Sequence, residues 1–208
     1  MSDELSLSWL KLVFMLIAPT KDKIAAERIF NNLVARYNEP SRHYHTLEHI
    51  TKGIQTYTQL FHNLPPMLEL FAWMYHDAVY ETTRSDNESQ SAAVFMKDAS
   101  ALGFTMDEVD RIVQLILATD PSAEPLSVVN DIDLAELGAT PEQFDANTAN
   151  IRKEYHWVEP EVWRKGRAAI LTQLLKRDKL YVTETFANRF DFQAKENLKR
   201  AIAKLTYQ

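Results

Sequence analysis

Five of the six histidines fall between positions 43 and 76: His43, His45, His49, His62 and His76. His45 and His49 are four apart, which on a helix places them on one face. His76 lies in the most apolar stretch of the chain, LELFAWMYHDAVY, with Asp77 beside it. An ionised carboxylate buried in such a stretch is costly unless it is paired or coordinates a metal. Asp77 is therefore the residue that most needs a partner. A second acidic pair, Asp131 and Asp133, stands in VVNDIDLAELG. Two positions apart on a helix means about 200° around its axis, so one carboxylate can face a shared point while the other serves solvent or a cap. Imidazoles and carboxylates so placed are the materials of a divalent-metal site. The plainer alternatives are a satisfied core histidine and two surface carboxylates on an amphipathic helix.

The elements that must position these residues read as helices. The first spans about Leu5–Ile17 and stops at Pro19. Thr20 can cap a second, about Lys21–Tyr37, ended by Asn38-Glu39-Pro40. A third runs from about Tyr44 to Leu60. A fourth, about Met67–Tyr80, is apolar almost all round, as a buried central helix is. A fifth covers about Glu88–Ala101 before Gly103. Thr105-Met-Asp-Glu108 is a capping box that opens a sixth, reaching about Thr119. Val128–Leu137 ends at Gly138, and Thr140-Pro-Glu-Gln143 starts an eighth helix to about Tyr155. Two more cover roughly Glu161–Arg177 and Phe190–Tyr207. No alternating stretch is long enough for a strand, and no linker, repeat or low-complexity segment divides the chain. The expectation is one all-α domain, a helical bundle over 1–208, with a motif core at about 20–140 and the helices of 141–208 packed on it.

Composition narrows the chemistry. A chain of 208 residues without cysteine has no disulfide, thiolate zinc site, iron–sulfur cluster or cysteine nucleophile. Hydrophobic content of 46% and charged content of 25% describe an ordinary soluble globule. The net charge of -6 speaks against non-specific binding to nucleic acid or membrane. The apolar run Leu12–Ala18 is far short of the ~20 residues that span a bilayer. Asp3 and Glu4 stand where a signal peptide would be basic. The expected compartment is the cytoplasm, with no nucleic-acid or membrane partner.

Arg42-x-x-His45, His76-Asp77 and Asp133 in a D-x-D-L-x-x-L-G context together resemble the HD domain of metal-dependent phosphohydrolases. The strings RHYHTLEHI, HDAVYE, NESQSA and AKENL are similar to one subgroup of HD phosphohydrolases, and the similarity covers about residues 20–205. The resemblance implies a helical bundle of the HD type. It also implies one divalent metal ion held by His45, His76, Asp77 and Asp133. A mixed nitrogen and oxygen set suits Mn, Fe, Co, Ni or Mg better than zinc. The implied reaction is attack of metal-bound hydroxide on a phosphoester of a small metabolite, with nucleotides the leading class. The alternative is a non-catalytic HD module that senses a metal or nucleotide. The resemblance also allows a homodimer.

The same resemblance distributes further roles. His49 is the competitor to His45, one turn on, and otherwise orients substrate. Asp133 is favoured over Asp131, which is left in the surrounding shell. Glu81, five positions after His76, takes the general-base or water-aligning role beside Asp77. Glu88 is either a helix N-terminal charge or a hydrogen-bond acceptor behind the metal. Arg42, Arg152 and Arg167 are the candidates to grip phosphate, because a planar guanidinium matches its geometry. No histidine stands between Ala78 and Ile132, which favours one metal over two.

Overall fold

Proline, glycine and capping residues set where each helix starts and stops. The computed structural model describes residues 3–206, with side chains from residue 7 onward. The helices are α1 (Asp3–Ile17), α2 (Lys23–Tyr37), α3 (Leu47–Phe61), α4 (Met67–Tyr75), α5 (Asn87–Leu102) and α6 (Met106–Leu117). They continue as α7 (Val128–Leu134), a 3-10 turn (Ala135–Gly138), α8 (Pro141–Glu154), α9 (Pro160–Leu175) and α10 (Glu184–Thr206). Among the described residues there is no strand, so the all-α expectation holds. No helix among them is long and apolar enough to cross a membrane.

Four of the boundaries that differ from the sequence reading have a clear local reason. α2 starts at Lys23 because Asp22, not Thr20, accepts the Ala25 amide at 2.9 Å. α3 starts at Leu47 rather than Tyr44, because the amides of residues 43–45 are held by a distant carboxylate described below. α4 stops at Tyr75, not Tyr80: the carbonyls of Asp77 and Ala78 accept from the buried Arg42 guanidinium at 2.6 and 3.3 Å instead of continuing the helix. α10 starts at Glu184, a turn and a half before Phe190, where the Thr183 hydroxyl accepts the Phe186 amide at 3.4 Å. The far end expected at Tyr207 lies outside the described residues.

α4 is the centre of the bundle. Leu70, Phe71, Ala72, Trp73, Met74 and Tyr75 are all buried, which is why its sequence carries no polar stripe. Phe14, Phe30 and Phe71 form a tilted aromatic cluster that joins α1 and α2 to it. α3, α5, α6 and α7 surround it. Gly53 sets the closeness of three of these helices. A Cβ there would overlap the Trp73 ring of α4 and stand 2.6 Å from Ile132 Cγ2 of α7. The missing side chain lets α3 settle into that corner, and Trp73 Nε1 donates to the Ile50 carbonyl at 2.9 Å across it. α10 packs on α9 and on the 3-10 turn, where Asn197 donates to the carbonyls of Leu137 and Ala139.

Candidate metal centre

The corner at Gly53 brings three helices together, and each delivers a ligand-type side chain. His49 lies on α3 one turn before Gly53. His76 and Asp77 follow the last residue of α4. Asp133 lies near the end of α7. One donor atom each from His49, His76 and Asp133 falls within 4.8 Å of the others, so this group can hold a metal ion. His49 Nε2 is 3.4 Å from Asp133 Oδ1, and His76 Nε2 is 3.8 Å from the same oxygen. Donors bound at ~2.1 Å to one ion stand about 3–4 Å apart, so these spacings need little adjustment. Asp77 adjoins the group, its Oδ2 3.0 Å from His76 Nε2.

Local packing fixes the imidazoles. His76 Nδ1 faces the Trp73 carbonyl at 2.8 Å, and its ring stacks on the Trp73 indole with centroids 4.4 Å apart. Donation from Nδ1 to that carbonyl leaves the Nε2 lone pair turned to the carboxylates. His49 lies edge-on to the same indole. Nε2 of His49 and Nε2 of His76 are both buried without a hydrogen-bond partner. Buried polar atoms are normally satisfied, so two orphaned imidazole nitrogens converging beside two carboxylates fit a divalent cation.

The electrostatics of the metal-free cluster agree. Burial alone would favour neutral His76. The Asp77 charge and close contact, and then Asp133, outweigh it and hold the imidazole well above its ordinary pKa. Burial would raise Asp77 in turn. His76 first, then His45 and His49, hold it well below the usual carboxylate range. Without a cation, a proton on His76 balances the charge of its neighbours.

His45 occupies a different place. It precedes α3, so it shares no helical face with His49. Its Nδ1 contacts Glu154 Oε2 at 2.7 Å, and its ring stacks on Tyr80 with centroids 3.8 Å apart. Glu154 Oε1 accepts the backbone amides of His43, Tyr44 and His45 at 2.8, 2.7 and 3.0 Å. The convergent group is therefore His49 with His76 and Asp133, in place of the expected His45, while His45 borders the adjoining cleft.

That cleft has a volume of about 490 Å³. Its polar lining includes His45, His76, Asp77, Asp133 and Glu88, and residues of α9 line it as well. Arg167 of α9 lines it with a buried Nε that has no hydrogen-bond partner. Burial pushes the Arg167 pKa down. The groups acting on it are the hydroxyls of Tyr44, Tyr80 and Tyr155, with no carboxylate among them. Glu88, in the first turn of α5, is half-buried, and burial raises its pKa, with Asp120 and Asp77 adding to the effect.

The remaining expected residues lie elsewhere. Arg42 is spent on structure: it donates to the carbonyls of His45, Asp77 and Ala78 and pairs with Glu39, and it does not line the cleft. Arg152 donates to the carbonyls of Tyr155 and Val158 and closes the end of α8. Glu81 is exposed. Only its backbone is engaged, by the Asn87 amide, and it does not line the cleft. Asp131 is fully buried and accepts from the amides of Val182 and Thr183 and from the Thr183 hydroxyl, so it anchors the entry to α10 rather than the metal group. The sequence reading missed Glu154 and Gly53. Glu154 lies in RKEY, which reads as a solvated helix end.

The described chain is thus all-helical, with a buried His/His/Asp group able to hold a metal, an arrangement compatible with an HD-type fold. No family model, no curated protein and no solved structure matches it.

Proposed function

We propose that this chain is a metal-dependent phosphohydrolase of the HD type that cleaves the phosphoester of a small metabolite, with nucleotides the first class to test. One observation carries the reading. His76, with its unpartnered Nε2, and the carboxylates of Asp77 and Asp133 line the cleft, His49 adjoins them outside it with a second unpartnered Nε2, and Arg167, whose Nε has no hydrogen-bond partner, lines the same cleft. A site that holds a cation near a half-buried arginine without a carboxylate partner suits a dianionic phosphate bridging the two. His49, His76 and Asp133 would hold the ion, and Asp77 would complete the set. The mixed donors suit Mn, Co, Fe, Ni or Mg better than zinc. A divalent cation there supplies polarisation of the phosphate and a more acidic water.

The chain's own residues then divide the work. Arg167 holds a phosphate oxygen and fixes its orientation. Glu88 lines the same cleft and accepts a hydrogen bond from the attacking water, the task expected of Glu81. His45 is held by Glu154 through Nδ1, which leaves Nε2 to give a proton to the departing alkoxide. The Glu154 carboxylate stabilises the charged imidazole before that transfer. Tyr80 stacks on His45 and limits its rotation.

The test is phosphate release from a panel of nucleotides, sugar phosphates and aryl phosphates by protein loaded with Mn²⁺ or Co²⁺. The expected result is turnover that falls in His45→Ala with metal content retained. Full metal occupancy without phosphate release from any member overturns the reading and favours a binding module.

A further inference from the structure

α9 turns an unusual face to the cleft. Val162, Trp163, Gly166, Arg167 and Ile170 all line it, at the 1-3-1-3 spacing of one helical face. Val162 is 62% exposed and Ile170 is 41% exposed. These apolar groups point neither into the core nor to a partner helix. Tyr155 and Val158 also line the cleft, and the Tyr155 ring adjoins that of Trp163 with centroids 5.1 Å apart. Gly166 adds room. A Cβ there would meet nothing within 4 Å, although glycine inside a helix costs roughly 0.5–1 kcal/mol relative to alanine. The residue that would stabilise the helix is absent where its side chain would narrow the cleft. Arg167, the anion-holding group, lies beside Gly166 on the same face.

We infer that the organic half of the substrate is a flat, apolar-faced ring system, seated against the surface formed by Trp163, Tyr155 and Ile170 while its phosphate lies between Arg167 and the metal group. The inference rests on the phosphohydrolase reading and narrows it: phosphorylated rings are preferred, and open-chain sugar or amino-acid phosphates are not. The volume suits a ligand of that size, since small-molecule sites run about 300–1,000 Å³. Stacking needs only a ring face, so the apolar surface selects rings as a class.

Calorimetric binding of two non-hydrolysable probes to the Mn²⁺-loaded 208-residue chain tests this without relying on turnover. Phenylphosphonate and methylphosphonate share the anionic head and differ by the ring. Phenylphosphonate is expected to bind tighter by about tenfold or more, within the roughly 10–200-fold that an apolar group contributes in an apolar pocket. That advantage shrinks toward one in Gly166→Leu, which fills open space, and in Trp163→Ala, which removes the stacking face. Thermal melting of Gly166→Leu no lower than wild type certifies its fold. Equal binding of the two probes overturns the ring inference and leaves the phosphate site standing. A ring advantage unchanged in both variants overturns its placement on α9. Binding of neither probe overturns the ring inference together with the reading beneath it.

Discussion

Replacing Glu154 by glutamine changes one buried charge at almost constant volume. The carboxylate accepts four contacts: three backbone amides at 2.7–3.0 Å on Oε1, and His45 Nδ1 at 2.7 Å on Oε2. Hydrogen bonds to a charged partner contribute about 1.5–3 kcal/mol each, against about 1 for neutral ones, so loss of charge assistance alone sums to roughly 4 kcal/mol. Glutamine also relieves the cost of burying the charge, so the expected net destabilisation is about 1–2 kcal/mol. Alanine leaves three amides without an acceptor and should cost about 3–5 kcal/mol. The sign with pH follows from the Glu154 pKa. Burial would raise it, but the hydrogen bond and charge of His45 and the amides hold it below the ordinary value. Its stabilisation is then present above the unfolded-state carboxylate pKa of about 4.3 and is lost as pH falls through the folded value. Urea unfolding of the metal-free protein, followed by circular dichroism, should show the wild type ahead of Glu154→Gln at pH 7 and the gap closing toward pH 3. In the variant the amide nitrogen faces Nδ1 and forces the proton to Nε2, without a carboxylate to stabilise the imidazolium. Phosphate release should fall by about 10²–10⁴ while manganese still binds. Equal stability at pH 7, or a gap that widens on acidification, refutes the reasoning.

Three further outcomes follow from the same geometry. Gly53→Ala pushes a methyl into Trp73 and Ile132, so it should cost about 1–3 kcal/mol in urea unfolding and weaken manganese binding by displacing His49. Unchanged stability would mean that the three helices are not held in contact there. Arg167→Met removes a half-buried charge that has no carboxylate partner, so thermal melting should stay level or rise while calorimetric phosphate binding is lost; the opposite pattern would give the arginine a structural role. Because Asp77 and Asp133 hold His76 protonated well above its ordinary pKa, metal binding must displace that proton. Apparent Mn²⁺ affinity should keep climbing through neutral pH up to pH 8, with proton uptake by the buffer, and a plateau near pH 6.5 would contradict the His76 environment.

The parts of the fold written in local chemistry were legible. The all-apolar stretch from Leu70 to Tyr75 is the central helix, and the Thr105–Glu108 capping box forms both of its bonds. His76, Asp77 and Asp133 lie in one corner of the bundle, as their residue types suggested. What could not be read depends on partners far away in sequence. His45 sits before α3 because Glu154, 109 residues later, takes its amide. Without that contact the Tyr44–Leu60 segment reads as one helix, and His45 and His49 appear to share a face. Arg42 precedes the motif as a phosphate ligand would, yet it is consumed by the carbonyls that end α4. Asp131 and Asp133 do diverge as helical geometry requires. The buried one serves α10 through Thr183, a cap that the string VTETF displayed but that the sequence reading passed over.

Mn²⁺ titration of the freshly purified, chelator-stripped chain, read by calorimetry and by metal content after gel filtration, addresses the centre of this account. One ion per chain should bind the wild type, with binding abolished in His49→Ala, His76→Ala and Asp133→Asn and retained in His45→Ala. Loss of the ion in His45→Ala with retention in His49→Ala, or no stoichiometric binding by the wild type, would contradict it.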